Sequence, residues 1–301
     1  MEHGHGAHLR PKLELADIVR AYGAQIRAIY RLNADQLHVL SNIENCRTAA
    51  LGGFVFRCQD CGHEQPQYPS CGNRHCPKCQ VIEQEHWIKK RLERVLPVAH
   101  CHVVFTLPAQ LRSLCQYQGK ALFDLLFRTC ADVLLEFAST HLQAEPAATA
   151  VLHTWTRQLT YHPHVHCIVT AGGLSLDGQS WKPSKPKFLF PVKAMSKVFR
   201  GKFLDGLRRL YNSHALDGFG LFDDPQGFDR LIAALAKIPW AVYCKKPFRC
   251  ADHVFKYLGR YTHRVGIANS RLVSLVDGQI TFRTKNGKTL TLEAVEFLHR
   301  F

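Results

Sequence analysis

The stretch Thr160–Gly173, "TYHPHVHCIVTAGG", decides how the chain is read. His162, His164 and His166 fall at every second position, just before an apolar run. Val, Ile and Thr suit a pleated, half-buried surface, so the run is expected to be a strand. On a strand, alternate residues share a face. His164 and His166 therefore converge, with Val165 on the other side. Two neutral imidazoles roughly 6–7 Å apart along a strand can both reach one divalent ion. His162 shares the face, although Pro163 interrupts regular pairing there. A third ligand must come from elsewhere, and His162, Asp252 and His253 are the candidates. The competing reading is a polar strand face of solvated histidines.

Outward from this strand the pattern alternates. Residues 13–45 read as helical, and a Cys-rich segment follows. Residues 83–97, "EQEHWIKKRLERVLP", read as a helix stopped by Pro97. "CHVVFTLP" is a strand, and residues 117–143 form a long amphipathic helix. "AVLHTWTRQLTYHPHVHCIVTAGG" reads as two strands, the second holding the histidines. Asp177-Gly178 and Asp277-Gly278 are hairpin signals. Residues 192–211 form a basic helix, "WAVYCKKP" a strand, and "CADHVFKYLGRYTHRV" a further helix. Hairpins among the strands favour an α+β sheet with helices packed on it over a doubly wound parallel sheet. Two domains are expected: a helical, Cys-rich module over 1–96 and a larger domain over 97–301.

Six of the twelve cysteines lie between Cys46 and Cys79. Cys58-x2-Cys61 and Cys76-x2-Cys79 each bring two thiolates to one side of a tight turn, and two such turns complete a tetrahedral Zn2+ site. Cys46, Cys71 and His75 are left over. They build part of a second zinc site, exchange into the first, or stay free. A closed structural site offers substrate no open position, so this module is read as folding and DNA-binding.

"HVFKYLGRYTHRV" sets Tyr257 and Tyr261 four residues apart on one helix face. Val254, Leu258 and Val265 would make the same stripe ordinary core. Beside it run Lys256, Arg260 and Arg264, preceded by Lys245 and Lys246, a row along which a phosphate backbone could lie. A Tyr hydroxyl is a poor nucleophile unless activated. A metal ion on the scissile phosphate and nearby cations would both help.

Lys and Arg number 39 against 24 Asp and Glu, a formal charge of +15. A soluble chain this basic meets a polyanion. No stretch approaches the roughly 20 apolar residues of a spanning helix, and the first residues lack a signal-peptide core. A cytoplasmic, nucleoid-associated protein is expected, with no membrane partner.

The order of motifs resembles one family, the HUH transposases of the insertion-sequence 91 type, also called two-tyrosine or rolling-circle transposases. The resemblance rests on "CRTAALGG" at 46–53, "SCGNRHCPKCQ" at 70–80 and "VVFTLP" at 103–108. It continues through residues 159–175, "FLFPVKAMSKVFRGKFL" at 188–204 and "YLGRYTHRVGIANSRL" at 257–272. It implies an N-terminal structural zinc domain and an HUH-endonuclease domain with a mainly antiparallel sheet. His164 and His166 match the family's metal-binding pair, with Mg2+ or Mn2+ as the ion. Tyr257 and Tyr261 match its catalytic tyrosines. The implied activity is cleavage and rejoining of single-stranded DNA at element ends, and transfer to target DNA, through a 5′-phosphotyrosine. Family members are expected to continue beyond "EAVEFLHRF", so a truncated copy is one expectation. The alternative function is a non-catalytic, zinc-dependent DNA-binding protein or repressor.

Overall fold

A computed structural model of the chain describes residues 13–185, 189–222, 225–247, 266–284 and 287–301. In chain order the helices are α1 (Leu15–Ile29), α2 (Ala34–Asn45), α3 (Gln80–Leu92), α4 (Arg112–Tyr117), α5 (Gly119–Leu142), α6 (Val192–Asn212), α7 (Pro225–Lys237) and α8 (Ala294–Arg300). The strands are β1 (Phe54–Arg57), β2 (Glu64–Gln67), β3 (His100–Thr106), β4 (Ala144–Glu145), β5 (Ala148–Trp155) and β6 (Tyr161–Thr170). After them come β7 (Gly172–Ser175), β8 (Trp181–Pro183), β9 (Ala241–Cys244), β10 (Leu272–Val276), β11 (Gln279–Arg283) and β12 (Thr289–Glu293). Every strand pairing among the described residues is antiparallel. The fold class is α+β. No helix of the described residues is long and apolar enough to cross a membrane.

The described residues pack as two compact units. The first joins the chain up to Trp87, the turn Thr156–Thr160 and the C-terminal stretch ending at Phe301. Its core is the apolar stripe of α1 (Leu15, Ile18, Val19, Ile26) with Leu40 and Ile43 of α2, Ile280 and Phe282 of β11, and Phe297 of α8. The stretch 13–45, read as helical, forms two helices separated at Tyr30–Asn33. Tyr30 ends the first run, and Asn33 caps the second: its side chain accepts from the Gln36 N–H, and the Gln36 side chain accepts from the Asn33 N–H, both at 2.9 Å. This reciprocal pair satisfies two N–H groups that a helix start leaves open.

The second unit holds a four-stranded sheet in the order β5-β6-β3-β9. One face is apolar: Cys101, Val103 and Phe105 of β3 with Val165, Cys167 and Val169 of β6. Helices α4 to α7 cover it through Leu114, Leu126, Phe137, Phe199, Phe203 and Leu235. Period-two alternation then sends His102 of β3 and His164 and His166 of β6 to the opposite face. The "AGG" that ends the quoted stretch is demanded by close strand approach. A Cβ on Gly172, at φ +145°, would lie 2.5 Å from the Lys182 carbonyl oxygen, and one on Gly173 would lie 2.5 Å from that of Glu145.

Candidate metal centres

In the first unit the sulfurs of Cys46, Cys71, Cys76 and Cys79 lie within 4.8 Å of one another. Cys46 caps the C-terminus of α2, its N–H bonding to the Ile43 carbonyl at 3.4 Å. Cys76 and Cys79 form a knuckle at the start of α3, closed by Gln80 N–H to the Cys76 carbonyl at 3.1 Å. Cys71 sits on the loop before it, next to Gly72 at φ +63°. The Cys79 sulfur is 3.6 Å from those of both Cys46 and Cys71. Zinc–sulfur bonds of about 2.3 Å in a tetrahedron separate sulfurs by roughly 3.8 Å, so the spacing fits a site of four thiolates.

The electrostatics agree. Burial, reinforced by neighbouring thiols, pushes the Cys71 thiol up to about 11, and burial raises Cys76 further still. Burial also raises Cys79, but bonds from Cys46, Cys71, Cys76 and the Gly72 N–H outweigh it and bring it below the ordinary value. Four thiols crowded in a half-dry site cannot ionise together unaided, whereas a bound cation makes each of them a thiolate. The N–H groups of Asn73, Cys79 and Gly72 point at the sulfurs of Cys71, Cys76 and Cys79 and favour the charged form.

The foursome differs from the one that spacing alone predicts. Cys58 and Cys61 lie exposed at the turn of the β1–β2 hairpin and do not join the cluster. That hairpin is short, and both its strands are exposed along their length. Their turn is nonetheless tight: Gly62 N–H bonds to the Cys58 carbonyl at 3.0 Å, and N–H groups of Cys61 and Asp60 lower the Cys58 thiol. His75 is outside the cluster too and lines a cavity with Ile26, Leu40 and Leu298.

In the second unit His153, His164 and His166 bring ring nitrogens within 4.8 Å of one another. The ring centroids are 4.4 Å apart for His153 and His166, 4.9 Å for His164 and His166, and 5.3 Å for His153 and His164. Sheet register places them: His153 of β5 is directly opposite His164 of β6. His164 Nδ1–H donates to the His162 carbonyl at 2.6 Å, which leaves Nε2 free to ligate. Burial, first, keeps His164 below the ordinary imidazole value and so neutral, as a ligand must be.

His162 itself is not part of the triangle. Its Nδ1 is 3.5 Å from Nη2 of Arg112, and it serves His164 through its backbone instead. His153 occupies the place that the sequence left among His162, Asp252 and His253. Asp252, His253, Lys256, Tyr257, Arg260, Tyr261 and Arg264 lie outside the described residues. Lys245 and Lys246 are exposed just beyond β9, and the Lys245 N–H donates to the His102 carbonyl at 2.9 Å.

Among the described residues the fold is α+β, with a cluster of four cysteines and a cluster of three histidines, each suited to a metal ion. A family model described as "Transposase zinc-binding domain" matches residues 18–107, and one described as "Putative transposase" matches 147–301. The chain is 42% identical over 301 residues to "Putative transposase y4qJ" of Sinorhizobium fredii (strain NBRC 101917 / NGR234), covering 96% of this chain and 75% of that one. It is 29% identical over 278 residues to the "Transposase for insertion sequence element IS801" of Pseudomonas savastanoi pv. phaseolicola, covering 88% and 65%. Among solved structures, "Conjugative Relaxase TrwC in complex with mutant OriT Dna" aligns at 18% identity and a TM-score of 0.28, over 36% of this chain and 43% of that one. The chain belongs to the insertion-sequence 91 family of transposases.

Proposed function

We propose that this transposase cleaves and rejoins single-stranded DNA at element ends through a 5′-phosphotyrosine. The observation that carries the reading is the converging set His153, His164 and His166 on the sheet face opposite the helices. Three imidazoles with no fourth ligand beside them among the described residues suit an ion that must also touch substrate. Such an ion, when bound, draws charge from the phosphoryl oxygens and orients the phosphate for in-line attack.

The chain's own groups do the rest. Tyr257 or Tyr261 supplies the phenolic oxygen that forms the new bond to phosphorus. The DNA 3′ oxygen departs, takes up a proton and becomes a free 3′-OH. The phosphate stays on the tyrosine as a diester, so rejoining is the same exchange reversed and consumes no ATP. A second tyrosine allows a second strand to be cut before the first is resolved. Lys245, Lys246, Lys256, Arg260 and Arg264 carry the DNA backbone as point charges. The four-cysteine site holds structural Zn2+. By role the division falls at residues 96 and 97, although β10 to α8 pack with the first unit.

An all-nitrogen set favours Mn2+ over Mg2+, which prefers oxygen ligands and gives up its waters reluctantly. The test is cleavage of a labelled single-stranded oligonucleotide carrying the element end, read on a denaturing gel. Mn2+ should support cleavage at concentrations about tenfold or more below those required of Mg2+. Equal cleavage in excess chelator would contradict the metal-assisted reading.

A further inference from the structure

His102 is absent from the resemblance and from the ligand triangle, yet the sheet delivers it to the same face. On β3 it is diagonal to His166: Val104 pairs with His166, and His102 with Ile168. Its Nε2 is 2.7 Å from Nδ1 of His166, the rings stack at 5.0 Å with an interplanar angle of 12°, and its ring is buried. His153 and His102 thus flank His166 from the strands on either side. A metal-bound imidazole is held by what its other nitrogen meets, and that contact fixes both ring plane and tautomer.

We propose that His102 is a positioning residue: it accepts the Nδ1 proton of His166 and so presents Nε2 of His166 to the divalent ion. This rests on the reading of His153, His164 and His166 as ion ligands. An imidazole here, where a carboxylate would serve as well, adds no negative charge beside a scissile phosphate. The contact also ties the central strand pair to the ligand ring. Rotation of His166 would break its contact with His102 in a buried site, which is costly.

Two measurements test this. The first is calorimetric titration of Mn2+ into the native chain, His102→Phe and His102→Gln, each checked for folding by near-ultraviolet circular dichroism. Phe keeps the ring volume and removes the acceptor, whereas Gln keeps an acceptor oxygen at about the reach of Nε2. Phe should weaken Mn2+ binding by 10- to 100-fold, the usual effect of losing an outer-shell partner, and Gln should restore most of it. Native-strength binding by a folded His102→Phe chain would overturn the role while leaving the ion site standing. A native chain that takes up no Mn2+ would overturn the site, and this role with it.

The second measurement needs no variant. Long-range 1H–15N correlation spectra of the metal-free native chain should show His166 with its proton on Nδ1. A proton on Nε2 instead would overturn the proposal, even if His102→Phe does not fold.

Discussion

Cys76→Ser is expected to cost the chain its zinc and to unfold the first unit at temperatures where the native chain is intact. Cys76 is 1% exposed, and it shares its cluster with Cys46, Cys71 and Cys79 inside the same apolar core as Ile18 and Phe282. Structural zinc in small modules is worth on the order of 10 kcal/mol of folding free energy, because the site exists only in the folded chain. A serine hydroxyl does not ionise to take the lost thiolate's place, so several kcal/mol of that coupling should vanish. Cys58→Ser is the control. Cys58 is exposed on a hairpin away from the cluster, so its loss should leave zinc content near native. Zinc stoichiometry and circular-dichroism melts of both variants decide it. Equal loss of zinc from the two would contradict the grouping of Cys46, Cys71, Cys76 and Cys79 and return the site to paired knuckles.

The second large effect falls on the imidazole centre. His153→Ala and His164→Ala should each lower Mn2+-dependent cleavage by about 10^3-fold or more, since Lewis-acid stabilisation of a phosphoryl transition state supplies several kcal/mol. His162→Ala should cost far less. Its ring faces Arg112, and its useful atom, the carbonyl that receives the His164 Nδ1 proton, survives the substitution. Mn2+ affinity should follow the same order. If His162→Ala abolished binding and His153→Ala did not, the register of the sheet would be misassigned at this site.

That register marks the limit of what the sequence discloses. Alternation alone put His164 and His166 on one face, and the β-branched run after them made the strand. The antiparallel, hairpin-rich sheet was legible from Asp-Gly turns and short strands. His153 was not, because facing residues depend on the pairing of β5 with β6. Trp155 pairs with Tyr161, and an unbroken ladder would then set His153 against Pro163, on the apolar face. An irregularity between His153 and Trp155 moves it opposite His164. A one-residue shift reverses every side chain's face, and no local composition announces it. The only available signal was a histidine on the preceding strand at hairpin distance.

The cysteines show the same limit from another side. Two Cys-x2-Cys turns look alike in sequence. Which of them joins Cys46 and Cys71 is decided by long-range packing of α1, α2 and the C-terminal strands. His102 was invisible for a third reason. Its strand reads as apolar, and only the diagonal neighbour across β3 and β6 gives its imidazole a task.

The central claim is that a tyrosine of residues 257 or 261 becomes joined to DNA. The most direct measurement is to incubate the chain with Mn2+ and a single-stranded element-end oligonucleotide, digest nuclease-trimmed protein with trypsin, and locate the nucleotide-bearing peptide by mass spectrometry. The expected product is a 5′-phosphate on Tyr257 or Tyr261, absent from Tyr257→Phe/Tyr261→Phe while DNA binding is retained. Cleavage that persists in the double variant, or an adduct on any other residue, would contradict the account.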